Sequence, residues 1–306
     1  MFIGEKRMKK FVFVISGILV LSLLIGCEVL FLPENNTGSD TDTGSVLYYS
    51  TPRETWTVMV HFAVDNNIDY GMERSRGTVT NYLDTLERIE AADIGNKIDI
   101  VVLMDCYNVD TYDVGYVSTF QDGYYHLSGG KFADDLVTSF TEVNSGSLSA
   151  VNAFLDWAIT NYQSDGYMYS VFNHGSGFDD ASAEGTYPGL DRGIGFDDSH
   201  NDCLTHHELG LAVAHLKASI GHNLDLFHAF ACLMGGVELA YEIRDNADYL
   251  LFSEELFPAY TWSYEGLSVI TDTSGGITPL EIGTAFCDSA DAYYGASGKN
   301  IPGDRT

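Results

Sequence analysis

Strand-like and helix-like tracts alternate from about residue 55 to residue 294, and this alternation limits the possible folds more than any other feature. Short runs rich in β-branched, aromatic and aliphatic residues predict strands at 55–64, 97–105, 166–175, 224–230 and 248–255. Apolar residues at helical spacing predict helices at 79–92, 147–162, 205–220, 235–247 and 279–294. Alternation of this kind predicts an α/β sandwich with a mainly parallel central sheet.

The first 26 residues have the pattern of an export signal. Four basic residues within the first ten precede the apolar run at 11–25, which is shorter than the roughly 20 residues of a membrane-spanning helix. The following "LIGC" (24–27) resembles the bacterial lipobox, in which the cysteine becomes the lipidated first residue of the mature chain. We predict a lipoprotein signal peptide at 1–26 and lipidation at Cys27, with Met8 as an alternative start and a plain signal peptide or short anchor as the alternative signal.

The remaining chain divides into a tether and one folded domain. Residues 27–51 are rich in Asn, Thr, Ser, Gly and Asp and predict a flexible tether, and residues 52–306 predict a single domain. No strand-like tract follows residue 294, so we expect either a chain truncated at its C-terminus or a sheet one strand short, with an exposed edge. The signal places this domain outside the cytoplasm, held to the bacterial cell envelope and membrane by an N-terminal lipid.

The charge balance is strongly acidic, with 15 Lys and Arg against 44 Asp and Glu, a net charge of −29. Such a surface repels phosphate backbones, so we predict no nucleic-acid partner. Such a surface attracts cationic peptides and metal ions. The alternative interpretation is that the charge only keeps the protein soluble.

Two of the predicted strand tips carry residues suited to nucleophilic catalysis. Ligand chemistry in parallel α/β sheets collects beyond the carboxyl ends of the strands, where "NHGSG" (173–177) and "ACLMG" (231–235) fall. Cys232 is a candidate nucleophile and His174 a candidate base that takes its proton. The backbone amides of Gly175 and Cys232 are candidates for an oxyanion hole. A buried thiol and a structural histidine are the alternative reading of these residues.

Several motifs around these tips resemble the clostripain family of cysteine peptidases. They are "WTVMVHFAVDNNID" (56–69), "VFNHGSGF" (171–178), "IGFDDSHNDCLTHHEL" (194–209), "ACLMGGVELAYEIRDNADYLLFSEE" (231–255) and "TWSY" (261–264). The resemblance implies a caspase-like, three-layer sandwich with helices on both faces of the sheet. It also implies an endopeptidase that acts on peptides or proteins through a Cys–His dyad, with His174 as general base and Cys232 as nucleophile.

One position departs from the family. The resemblance places an aspartate that recognises a basic P1 side chain two residues before the nucleophile, where this chain has Phe230. A phenylalanine cannot form charge-assisted bonds, so the P1 preference stays open between basic, apolar and mixed. We assign Phe230 to substrate binding together with Asp65, Asn66, Ser253 and Glu254.

The sequence also bears on self-cleavage, on metal binding and on a non-catalytic alternative. Arg192 is one of two basic residues between His174 and Cys232 and lies in a polar loop, so we predict self-cleavage there if anywhere. The six histidines between residues 200 and 228 lack a zinc-ligand spacing, and we predict no metal ligands and no required cofactor. Calcium binding stays open, because "DDSHND" (197–202) contains Asp197, Asp198 and Asp202, although a solvated acidic loop is the alternative.

The alternative to a peptidase is a catalytically inactive surface-binding lipoprotein on the same fold.

Overall fold

The computed structural model describes residues 12–15, 18–21, 28–31, 50–70, 78–177, 193–256 and 264–294. Its strands are β1 (Val12–Ile15), β2 (Ile18–Leu21), β3 (Glu28–Phe31), β4 (Trp56–Val64), β5 (Ile98–Cys106), β6 (Gly123–His126), β7 (Leu136–Ser139), β8 (Gly166–Phe172), β9 (Gly193–Asp197), β10 (Asp202–Thr205), β11 (Leu224–Phe230) and β12 (Ala247–Phe252). Its helices are α1 (Asn67–Tyr70), α2 (Thr78–Ala92), α3 (Leu148–Asn161), α4 (His206–Ile220), α5 (Val237–Ile243), α6 (Ser268–Asp272) and α7 (Pro279–Tyr294).

The main sheet has the strand order β1-β2-β3-β12-β11-β8-β4-β5-β6-β7. The five central strands β12, β11, β8, β4 and β5 are parallel, and antiparallel strands flank them on both sides. The five predicted strands are these five central strands. They are buried on both faces, which explains why they read as almost continuous apolar runs.

Two hydrophobic cores cover the two faces of the sheet. One core contains side chains of α2, α6 and α7, including Leu83, Ile270 and Phe286. The other contains side chains of α3, α4 and α5, including Leu155 and Val213. The molecule is therefore a three-layer sandwich, as the alternation of tracts predicts, and side chains at helical spacing face the sheet.

Local sequence signals account for several helix ends. Thr205 caps α4 in a reciprocal arrangement, in which its side chain accepts a hydrogen bond from the Glu208 amide while the Glu208 carboxylate reaches back to the capping residue. Gly221 ends the same helix with φ of 84°, in the left-handed region that glycine adopts without strain. The predicted helix at 235–247 is shorter in the structure, where α5 occupies only Val237–Ile243.

The edge next to β12 differs from expectation. Instead of an exposed edge, β12 pairs with β3 in antiparallel register, with Tyr249 opposite Phe31 and Phe252 opposite Glu28. Residues 28–31 are thus a strand rather than a flexible tether. The hairpin of β1 and β2 lies within the predicted signal segment, and removal of residues 1–26 stays a prediction.

Two hairpins were not predicted from the sequence. β6 and β7 extend the sheet beyond β5, and β9 pairs with β10 in a separate two-stranded sheet beside the strand tips. Each of these strands has only four or five residues, which is too short for a clear alternating pattern. Among the described residues, none of the helices combines the length and apolar character needed to cross a membrane.

Candidate active site

His174 and Cys232 lie at the carboxyl ends of neighbouring parallel strands. β8 and β11 run side by side in register, and Phe172 is the partner of Phe230 at their last residues. His174 and Cys232 each follow these partners by two residues, so both emerge at the same edge of the sheet. Both side chains are half-buried.

Two glycines allow the His174 loop to lie directly against the Cys232 loop. A Cβ atom at Gly175 would overlap the carbonyl oxygen of Cys232, and a Cβ atom at Gly177 would lie 2.9 Å from the carbonyl oxygen of Leu233. Gly177 also has φ of 60°, which most side chains avoid. The two loops therefore meet backbone to backbone, as the proposed roles of His174 and Cys232 require.

Asn67 holds the imidazole of His174. The side-chain oxygen Oδ1 of Asn67 lies 2.5 Å from Nε2 of His174. Because an amide oxygen can only accept, Nε2 carries the hydrogen in this contact and Nδ1 of the neutral ring is left with its lone pair. Burial lowers the pKa of His174 to about 4, so the ring is neutral at pH 7 and able to accept a proton.

Asp65 and Asn66 occupy a different position from the one predicted. Both are fully buried, so neither lines an exposed substrate site. Asn66 donates to the carbonyl oxygens of Ala63 and Phe196, and its own Oδ1 accepts from the backbone amide of Ile68. The prediction of substrate contacts is therefore wrong for these two residues, and the next residue, Asn67, is the one that reaches the site.

Asn173 fixes the backbone just before His174. Its side-chain amide donates to the carbonyl oxygens of Ala63 and Phe196, and its Oδ1 accepts from the Phe196 amide at 3.0 Å. Ser176 continues this connection through a hydrogen bond from its amide to the Gly193 carbonyl. The His174 loop is thus bound to both β4 and β9 by buried hydrogen bonds.

The segment after Cys232 is tied to the end of β12. The Leu233 amide donates to the Glu255 carbonyl at 3.1 Å, and the Gly235 amide donates to the Ser253 carbonyl at 2.9 Å. Leu233 has φ of 59°, an unfavourable conformation for a non-glycine residue that these contacts maintain. Ser253 is buried and bonds to the backbone of Glu255, whereas Glu254 is exposed and packs against Gly235 beside the Cys232 loop.

Phe230 is part of an aromatic cluster under the site. It is 1% exposed, and its ring stacks on Tyr82 at 5.4 Å and meets Tyr264 edge-on at 5.0 Å between centroids. Phe172 and His228 complete its surroundings, and His228 is bonded to Ser170 within the same apolar layer. The side chain at this position therefore belongs to the core and, like Asp65 and Asn66, does not line an exposed substrate site.

Acidic residues of the kind that can hold a metal ion form a group next to the His174 loop. Oxygens of Asp65, Asp105, Glu142 and Asp197 lie within 4.8 Å of one another, and His200 groups with Glu142 and Asp197 in the same way. Of the predicted calcium residues, only Asp197 belongs to this group. Asp198 instead accepts from Tyr70, and Asp202 accepts from Asn144. Sequence spacing does not reveal the group, because its members come from four separate segments.

Arg192 and Cys27 lie outside the described residues. Self-cleavage at the first and lipidation at the second therefore stay predictions.

Comparison with known proteins identifies the family to which this chain belongs. The model of the Clostripain family, peptidase C11, matches residues 79–303, which is more than half of the chain. The chain therefore belongs to the clostripain family. Clostripain from Hathewaya histolytica is 31% identical over 157 residues, which cover 48% of this chain and 28% of clostripain. The matched part thus spans little more than a quarter of that relative.

Solved structures of C11 proteases show the same fold. A secreted C11 cysteine protease from Bacteroides thetaiotaomicron, in complex with an irreversible peptide inhibitor, aligns with a TM-score of 0.51 at 20% identity, covering 78% of this chain and 58% of its own. Another structure of a secreted C11 cysteine protease from that organism, iotapain, aligns with a TM-score of 0.54 at 15% identity, covering 80% and 63%. An inactive zymogen C11 protease from Parabacteroides distasonis aligns with a TM-score of 0.50 at 20% identity, covering 81% and 60%. The predicted caspase-like α/β fold is confirmed.

Proposed function

We propose that this chain is a cysteine endopeptidase in which Cys232 is the nucleophile and His174 the general base. The observation that carries the proposal is the juxtaposition of the two strand tips, where the Gly175 backbone packs against the Cys232 carbonyl. Membership of the clostripain family supports the same reaction class.

The proposed reaction begins with transfer of the Cys232 thiol proton to Nδ1 of His174. The thiolate sulfur attacks the scissile carbonyl carbon, and the electron pair of the C=O bond moves to oxygen. We assign the amides of Gly175 and Cys232 to that oxyanion. When the C–N bond breaks, His174 returns its proton to the departing amine and a thioester remains. Water then attacks the thioester with His174 as base, which releases the acid and restores the thiol.

Asn67 orients the base throughout this cycle. Its oxygen accepts from Nε2–H in the neutral ring and holds the same bond more strongly once the ring is positively charged. The reaction needs no cofactor, because sulfur and imidazole supply the nucleophile and the proton transfer.

We propose that the P1 side chain is apolar or mixed rather than basic. Phe230 offers no charge and lies in the core beneath the site, so this position supplies no carboxylate that could pair with a basic P1 side chain. A buried Arg or Lys side chain without a partner would be strongly disfavoured in such a site. Glu254 is exposed beside the Cys232 loop, and we assign its carboxylate to contacts with substrate residues other than P1.

We propose that the enzyme acts outside the cytoplasm, attached to the bacterial cell envelope through lipidated Cys27. The export signal supports this location, and two of the structural neighbours are secreted proteases. Its partners are then peptide or protein substrates and the membrane. Cleavage after Arg192 is the proposed self-processing event, and a zymogen among the structural neighbours motivates its test.

The decisive experiment is digestion of a peptide library with varied P1 residues by the full chain and by Cys232→Ala. We expect cleavage by the native protein, with apolar P1 residues favoured, and none by the variant. Cys287→Ala is the matched control, since it removes another half-buried cysteine, on α7, and should leave cleavage intact.

Labelling separates the enzyme from an inactive binding protein on the same fold. We expect iodoacetamide to modify Cys232 in the folded protein and to abolish cleavage. Folded protein that cuts no peptide and leaves Cys232 unlabelled would support the non-catalytic alternative. A single band after incubation, with or without calcium, would count against self-cleavage at Arg192.

A further inference from the structure

Leu233 directly follows the proposed nucleophile, and its side chain is open to solvent. It is 37% exposed, whereas the next residue, Met234, is buried and packs against Gly175. We infer that Leu233 is a specificity-determining residue that contacts an apolar side chain at P1′, the substrate residue after the scissile bond. This inference rests on the proposed function, because it assigns a substrate contact to the same site.

The backbone at position 233 does not account for a leucine there. Leu233 has φ of 59°, in the left-handed region, where glycine and asparagine are the residues with the lowest cost. The hydrogen bond from its amide to the Glu255 carbonyl holds this conformation. An exposed apolar side chain is common by itself, but backbone strain beside a reactive group is typical of functional sites.

The base of the Leu233 side chain lies against the His174 loop. A Cβ atom at Gly177 would be 3.1 Å from the Cβ atom of Leu233, so the two loops pack closely at this point. In the proposed reaction His174 returns its proton to the departing amine, and that amine belongs to the P1′ residue. The P1′ residue must therefore lie on the His174 side of Cys232, where Leu233 offers an apolar surface.

Two further exposed apolar side chains belong to the segments around Leu233. Leu256 is 72% exposed and follows Glu255, whose carbonyl accepts from the Leu233 amide. Val237 is 64% exposed and begins α5, four residues after Leu233. Contact with such groups removes apolar surface of the substrate from water, which is the source of the expected preference.

Carboxylates beside this apolar surface determine what it rejects. Glu238, Glu254 and Glu255 are exposed, and the side chains of Glu254 and Glu238 pack against Gly235 and Gly236, respectively. An acidic P1′ side chain would approach like charges and would be disfavoured. Because exposed charges are screened by salt, high salt should weaken the discrimination against Asp and leave the preference for Leu over Ser unchanged.

The test varies P1′ alone, in internally quenched peptides that keep the best P1 residue of the library digest. Values of kcat/KM are measured for the native full chain with Leu, Ser or Asp at P1′. We expect Leu to be favoured about tenfold over Ser, and Asp to be the poorest of the three. A peptide methyl ester that ends at the same P1 residue has no P1′ side chain and is the reference substrate.

Two variants of Leu233 suit the left-handed backbone, so both should fold. Leu233→Asn replaces the apolar side chain with a polar one, and Leu233→Gly removes it. In both, the preference for Leu over Ser should fall to about twofold, while hydrolysis of the methyl ester should stay at the native level. Ile94→Asn is the matched control, because it changes a fully exposed apolar residue before β5, at the opposite edge of the sheet, and should keep the native preference.

Failure of this inference can be distinguished from failure of the proposed function. A native protein that cleaves peptides without a P1′ preference, or variants that keep the native preference, would overturn the role of Leu233 while the peptidase activity remains. A preference that changes at P1 and not at P1′ would overturn the assignment to P1′, and loss of ester hydrolysis in both variants would show a structural role instead. No cleavage of any peptide by the native protein would refute the proposed function and this inference with it.

Discussion

The contact between Asn67 and His174 makes the sharpest prediction about catalysis. Asn67→Ala removes the oxygen that lies 2.5 Å from Nε2 and leaves the rest of the chain unchanged. In the transition state of the proposed reaction the imidazole is protonated, so the lost bond is charge-assisted and worth about 1.5 to 3 kcal/mol. Since about 1.4 kcal/mol corresponds to a factor of ten in rate, kcat should fall about 10-fold to 150-fold.

A pH profile distinguishes orientation of the base from a general loss of structure. Burial lowers the pKa of His174 to about 4, so the acidic limb of kcat/KM should lie below the range of an exposed histidine. Asn67→Ala removes an acceptor that favours the protonated ring and should move that limb to lower pH. Asn67→Asp keeps an acceptor and adds negative charge, so it should move the limb in the opposite direction.

The assay is hydrolysis of a fluorogenic peptide taken from the library digest, measured from pH 4 to 9 over a range of substrate concentrations. Asn161→Ala is the matched control, because that side chain donates to the Trp157 carbonyl on the exposed side of α3. Circular dichroism confirms that each variant is folded. An Asn67→Ala enzyme with native kcat and an unmoved pH profile would refute the positioning role.

Three further predictions concern stability. Phe230→Ala should lower the free energy of unfolding by about 3 to 5 kcal/mol in urea titrations, because it empties the aromatic cluster, and a loss below about 1 kcal/mol would contradict that packing. Arg53→Ala should cost about 3 kcal/mol by the same measurement, because it removes the partner 2.7 Å from buried Asp225, and Arg53→Lys should recover part of it. Burial lowers the pKa of His228 to about 3, whereas in the unfolded chain this ring takes up a proton below about pH 6.5. The free energy of unfolding should therefore hold its full value above about pH 6.5 and decrease as the pH falls toward 3. Replacing His228 with Gln should flatten that acid dependence by up to one bound proton, and an unchanged slope would contradict the assignment.

The central layer was predictable because its signals are local. Each of the five parallel strands is a short apolar run that both cores bury, and α2 carries Tyr82, Leu83 and Leu86 on one face toward the sheet. The shared position of the strand tips could be predicted from the same pattern, because the carboxyl ends of parallel strands lie at one edge of the sheet. The placement of His174 and Cys232 at the same edge, 58 residues apart in the chain, could therefore be predicted from sequence.

The side-chain directions at the tips could not be predicted. "AVDNN" contains three polar residues in a row, and only the turn into α1 decides that Asp65 and Asn66 point inward while Asn67 reaches His174. The group of four carboxylates could not be predicted from the sequence for a related reason. Asp105 and Glu142 belong to different elements and meet through tertiary packing, which no spacing along the chain records.

Gly175 limits which substitutions this fold can accept during evolution. Its hydrogen faces the Cys232 carbonyl at a distance that leaves no room for a methyl group. Every other amino acid carries a Cβ atom, so each substitution would push the two loops apart and separate His174 from Cys232, the proposed base and nucleophile. The gap between these residues is therefore set by the absence of one carbon atom. Variation in the proposed substrate contacts can enter at exposed Glu254, but adjustment of the proposed dyad cannot begin at Gly175.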